Sequence, residues 1–162
     1  MKRAVVLGIL LGVPGWAGAQ QGAPDLVAYG SRAGMEVTIL SRQGIDSAAA
    51  EVRVAHTPEN ARAFCTLYVM DPSEACVTAT LADVAGWVGD RIAGDCTAGV
   101  FTGLWGGRMR FLGRLPARSE FGAEWDFREE GSDTPLDGTT ASGYGVVLDQ
   151  FRAICPARLA EG

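Results

Sequence analysis

The chain has 162 residues, 48% of them hydrophobic and 20% charged, with a formal net charge of −5 at pH 7. That length suits one domain with a core of its own. The acidic balance removes any general attraction to nucleic acid or to anionic lipid, so neither is expected as a partner.

The first nineteen residues read as an export signal. Lys2 and Arg3 precede the apolar run "AVVLGILLGV", Pro14 follows it, and Ala17-Gly18-Ala19 supplies the small residues a signal peptidase recognises. The apolar run is about half of the ~20 residues a spanning helix needs. Cleavage after Ala19 is therefore expected, giving a periplasmic or secreted protein from Gln20 to Gly162. That portion holds nineteen acidic residues, twelve arginines, no lysine and no apolar run long enough to cross a bilayer.

After a small, polar stretch from Gln20 to Pro24, "GMEVTILSRQGIDSAAAEVRVAHT" alternates apolar and polar residues on either side of the turn-like "SRQGIDS". Met35, Val37 and Ile39 share one face of the first run and Val52 and Val54 one face of the second, which predicts a strand pair. At "HTPENARAFCTLYVMDP" the period becomes helical. Thr57 is placed to cap, Pro58 suits the first helical position, and Asp71-Pro72 ends the run. Ala61, Phe64, Cys65 and Tyr68 would face the core. "SEACVTATLADV" reads as a shorter helix capped by Ser73, and "SGYGVVLDQFRAICP" as a helix burying Tyr144, Val147, Leu148, Phe151 and Cys155 and stopped by Pro156.

An even number of cysteines in an exported chain predicts disulfides. Of the three pairings open to Cys65, Cys76, Cys96 and Cys155, we expect Cys65 with Cys76, closing a short loop across a helix end, and Cys96 with Cys155, tying a hairpin to the last helix. Zinc bound by these thiolates and His56, the single histidine, would call for closely spaced ligand pairs of the C-x-x-C kind, which do not occur. No metal ligand set and no cofactor is expected. The fold class is α+β: antiparallel strands and hairpins packed with two or three helices in one disulfide-stapled domain spanning residues 20–162.

The stretch "GDCTAGVFTGLWGGRMRFLGRL" reads as two strands folded about Gly106-Gly107. A two-residue turn would set Leu104 opposite Met109, Thr102 opposite Phe111 and Val100 opposite Gly113. Val100, Thr102, Leu104, Met109, Phe111 and Leu115 would then line the core. Phe101, Trp105, Arg108, Arg110 and Arg114 would stand with Leu112 on the other face, suited to cation–π pairing or to an acidic partner. These aromatic and arginine residues are the candidate binding residues, because such types dominate interface hot spots. The alternative is a second layer of the fold covering Phe101 and Trp105.

The strings "GMEVTILSRQGID", "AHTPENARAFC", "DCTAGVFTGLWGGRMRFLGRL" and "LDGTTASGYGVVLDQFRAICP" resemble those of a group of small exported alphaproteobacterial proteins with no assigned activity. The resemblance covers most of the chain from Gly34 to Pro156. It implies export and a single domain, and it brings no ligand or catalytic residue with it.

No catalytic residue is assigned. His56 lies at a strand-to-helix junction, and no G-x-S-x-G elbow places a serine before it. Glu129, Glu130, Asp133 and Asp137 stand among loop residues, where a solvated loop, or a calcium site, suits them better than general-acid work. The expected function is a non-catalytic binding or inhibitory module for another envelope or secreted protein. A secreted hydrolase using carboxylates, or a structural envelope component, is the alternative.

Overall fold

The computed structural model describes residues 25–160; the expected signal segment and its cleavage point lie outside them. Seven strands form one antiparallel sheet whose spatial order follows the chain: β1 (Leu26–Ala28), β2 (Glu36–Gln43), β3 (Ala50–Ala55), β4 (Arg91–Asp95), β5 (Val100–Thr102), β6 (Arg108–Arg114) and β7 (Trp125–Glu129). A helical hairpin of α1 (Pro58–Phe64) and α2 (Glu74–Val84) separates β3 from β4, and α3 (Tyr144–Ile154) and α4 (Pro156–Ala160) follow β7. The architecture is mixed α+β but mostly sheet. Among the described residues four helices stand where two or three were expected, because Pro156 both ends α3 and opens α4, a position where its missing N–H leaves no bond unmade.

The early strand pair forms as the alternation requires, with Val37, Val52 and Val54 buried. Its turn is shorter than "SRQGIDS" suggests: Ser41, Arg42 and Gln43 continue β2, and a bulge between Ile39 and Ser41 leaves Leu40 in solvent.

Thr57 caps α1 through a reciprocal box, its Oγ1 accepting from the Asn60 backbone N–H and its own N–H donating to Asn60 Oδ1. Beyond Phe64 the helix widens into a π turn over Cys65–Val69 and ends on Met70, a left-handed residue with φ of 61°. The wider turn rotates Tyr68 away from buried Ala61 and Cys65, so Tyr68 stacks on Phe64 at 5.4 Å and stays exposed. Ser73 caps α2 by accepting from the Cys76 N–H at 3.2 Å. Both expected disulfides are present, Cys65–Cys76 across the helical hairpin and Cys96–Cys155 joining the end of β4 to the end of α3.

Helix α3 organises the rest. Its buried residues are Tyr144, Val146, Gln150, Phe151 and Ile154, a face turned slightly from the expected one, with Val147 and Leu148 half-buried. Gln150 is buried because both ends of its amide are used: Nε2 donates to the Ala28 carbonyl at 2.9 Å, and Oε1 accepts from the Leu104 N–H at 3.0 Å. Asp149 Oδ2 accepts from the Ala28 N–H at 2.8 Å, so α3 occupies the free edge of β1. At the other end of the sheet the Tyr144 hydroxyl accepts from the N–H groups of Glu124 and Trp125. With α3 touching both β1 and β7, the sheet curls around it. Phe101, Phe111, Phe127 and Phe151 pack together inside that curl, Phe111 stacking on Phe151 at 4.5 Å.

Candidate functional site on the outer face of the sheet

The pairing of β5 with β6 differs from the expected hairpin. Thr102 lies opposite Arg108, Phe101 opposite Met109 and Val100 opposite Arg110. Five residues, Gly103 to Gly107, therefore connect the strands instead of two. Leu104 is the cause: its side chain is buried, its N–H goes to Gln150 and its carbonyl accepts from Gly89, which draws it out of the ladder. The register moves by three, an odd number, so every side chain of β5 changes face while those of β6 from Arg108 to Phe111 keep theirs.

This redistributes the five candidate residues. Phe101 moves into the core at 2% exposure, packed against Phe127 and Phe151, and is corrected from binding residue to structural one. Val100 and Thr102, expected inside, are outside it. Trp105 is 50% exposed, but it lies with Phe101, Met109, Val146 and Val147 around a small cavity, on the α3 side and away from the arginines. Arg114 is turned off the row by a bulge between Phe111 and Arg114, where Gly113 takes φ of 102°, a conformation other residues rarely adopt. Arg114 sits opposite Trp125, its guanidinium 5.2 Å from that ring. The cation–π contact expected within the hairpin is thus made across β6 and β7 instead.

Arg108 and Arg110 remain together on the outer face, and β7 adds a third cation, Arg128, directly across from Arg110. Sequence reading missed Arg128, although the alternation of Trp125 and Phe127 inward was a signal that Asp126 and Arg128 point outward. Arg108 Nε lies 3.2 Å from Glu130. Arg128 is held by both oxygens of Asp126, at 2.9 and 2.7 Å, and donates to the Asp133 carbonyl, so its guanidinium is kept firmly protonated. Arg110 differs from its neighbours. Among the described residues no carboxylate reaches it, and its Nε is buried without any hydrogen-bond partner. Val100 and Thr102 flank this cation on β5, and exposed Leu112 follows it on β6.

Elsewhere the chemistry is dispersed. Glu130 pairs with Arg108, and Asp137 caps its own turn by accepting from Thr139, which holds its carboxyl below the usual range. Three surface grooves contain one carboxylate each, Glu124, Asp83 and Asp90. Among the described residues no three His, Cys, Asp or Glu side chains gather closely enough to hold a metal ion. His56 is half-buried against the edge of Tyr29 at 5.4 Å, with neither ring nitrogen bonded, and burial pushes its pKa down.

The chain matches no protein-family model, no curated protein and no solved structure.

Proposed function

We propose that this is an exported, non-catalytic binding module, acting in the periplasm or outside the cell, that engages an acidic segment of another envelope or secreted protein through the outer face of β5–β7. Two disulfides suit an oxidising compartment. Among the described residues no helix is long and apolar enough to span a membrane.

The observation that carries the reading is Arg110. A buried guanidinium N–H without a partner costs about 1–3 kcal/mol, and placing the side chain beside Arg128 adds like-charge repulsion. A carboxylate supplied by a partner would offset the repulsion through charge-assisted bonds to the guanidinium, and would reach the Nε once the side chain turns outward. Arg108, whose exposed pair with Glu130 contributes little on its own, can exchange that acid for a partner's. Half-buried Val100 and exposed Leu112 give the site apolar surface beside the charge, and arginine is among the residue types in which interfaces concentrate their energy.

Affinity capture from an envelope extract of the native host tests the reading. The wild type should retain a partner that is released as salt rises, and Arg110→Glu should fail to retain it while melting at an unchanged temperature. Equal capture by the two proteins would overturn the assignment.

A further inference from the structure

We infer that the protein pairs with a second copy of itself through the helical hairpin of α1 and α2. The π turn leaves four consecutive apolar residues in solvent: Leu67 is 56% exposed, Tyr68 44%, Val69 46% and Met70 77%. They form a knob whose root is fixed by the Cys65–Cys76 disulfide and whose tip is the left-handed Met70. Beside the knob runs a groove of about 260 Å³ walled by Tyr29, Met35, Phe64, Val84 and Trp87. The two are continuous, since Tyr68 stacks on Phe64, and Trp87, 44% exposed, packs edge-on to Tyr29 at 5.8 Å.

Three properties of this patch fit a copy of the same chain. First, an isologous interface must be complementary to itself, and a knob next to a groove meets that condition by reciprocal insertion. Second, the exposed fractions correspond to open apolar surface on the order of 500 Å², the upper end of what a monomer leaves uncovered. With the groove walls and a polar rim it approaches the ~800 Å² per partner of a standard interface. Third, the charges complement. Arg32, over the Tyr68 ring at 4.7 Å, has no carboxylate within reach among the described residues, and exposed Asp83 on the groove wall has no cation. A two-fold axis between them sets each Arg32 toward the partner's Asp83. A lipid surface fits less well, because Glu59, Asp71 and Glu74 on the same hairpin are exposed and would be repelled by anionic headgroups.

Sedimentation equilibrium over a range of protein concentrations is the test. The wild type should show a monomer–dimer equilibrium. Leu67→Glu and Met70→Asp should each be monomeric yet folded, the second because aspartate tolerates left-handed backbone. Arg32→Asp and Asp83→Arg should each raise the dissociation constant about tenfold, and the double variant should restore it. Arg110→Glu, on the other surface, should dimerise as the wild type does. A wild type that is monomeric at every concentration overturns the inference. So does a dimer indifferent to Leu67→Glu and Met70→Asp, or a charge-swapped double variant no better than the singles. Binding of the monomer to phosphatidylglycerol vesicles through Leu67 and Met70 would overturn it in favour of lipid.

Discussion

Arg110 of β6 lies directly across the ladder from Arg128 of β7, which puts two arginines on one face of the sheet. Asp126 pairs with Arg128, and among the described residues no carboxylate does the same for Arg110. Arg110→Thr, which suits a strand and removes both the unbonded Nε and the repulsion, should leave stability unchanged or raise it by up to about 1 kcal/mol in urea unfolding. A loss above about 2 kcal/mol would mean that Arg110 has a structural role its surroundings do not account for.

The altered register makes opposite predictions for two neighbouring aromatics. Phe101 is enclosed by Phe127 and Phe151, and Phe101→Ala should cost about 3–5 kcal/mol. Trp105 is half exposed, and Trp105→Ala should cost about 1–2 kcal/mol, a fraction of the full penalty for a buried large aromatic. Thermal melts of the two variants check this. Equal losses would contradict the observed pairing of Phe101 with Met109.

His56 gives stability a pH dependence with a definite sign. Burial lowers its pKa from the ordinary 6.5, and neither ring nitrogen has a partner to hold a proton. The unfolded chain therefore takes up the proton first as pH falls. The stability contributed by neutral His56 is present above pH 6.5 and is lost progressively below it. Because the chain has one histidine, His56→Phe should flatten the unfolding free energy between about pH 5 and 7. An unchanged pH profile in that variant would rule His56 out as the source.

The two disulfides should differ in reach. By loop length, breaking Cys65–Cys76 costs about 3 kcal/mol and breaking Cys96–Cys155 about 4. The first sits in a small separate cluster with Ala61 and Val77, the second in the main core. Hydrogen exchange in a Cys65→Ser, Cys76→Ser protein should accelerate in α1 and α2 alone, whereas loss of Cys96–Cys155 should loosen α3 and the sheet together. Sheet-wide loosening in the first variant would contradict this separation.

Elements governed by local chemistry were legible in the sequence. Thr57, Pro58 and Ser73 mark the helix starts through their own hydrogen-bonding geometry, and the cysteine pairing follows from the elements they join. Strand β6 was legible too, since its alternation holds from Arg108 to Phe111. What could not be read was set by contacts distant in the chain. Gln150 captures Leu104 across 46 residues and thereby lengthens the β5–β6 connection, moving Phe101 inward and Val100 outward. Gly106 and Gly107 made a two-residue turn plausible, but a register is decided by which side chains the core accepts. Of the candidate site, Arg108 and Arg110 were found, while Arg128 became their neighbour through the pairing of β7 with β6.

Binding of acidic segments by the outer face around Arg110 can be followed by a nuclear magnetic resonance titration of the isotope-labelled protein with a glutamate-rich peptide at low and high salt. Backbone shifts should be confined to Val100, Thr102, Arg108 to Leu112 and Arg128, weakened by salt and abolished by Arg110→Glu in a protein that remains folded. Shifts centred on another surface, or the same shifts surviving in Arg110→Glu, would contradict it.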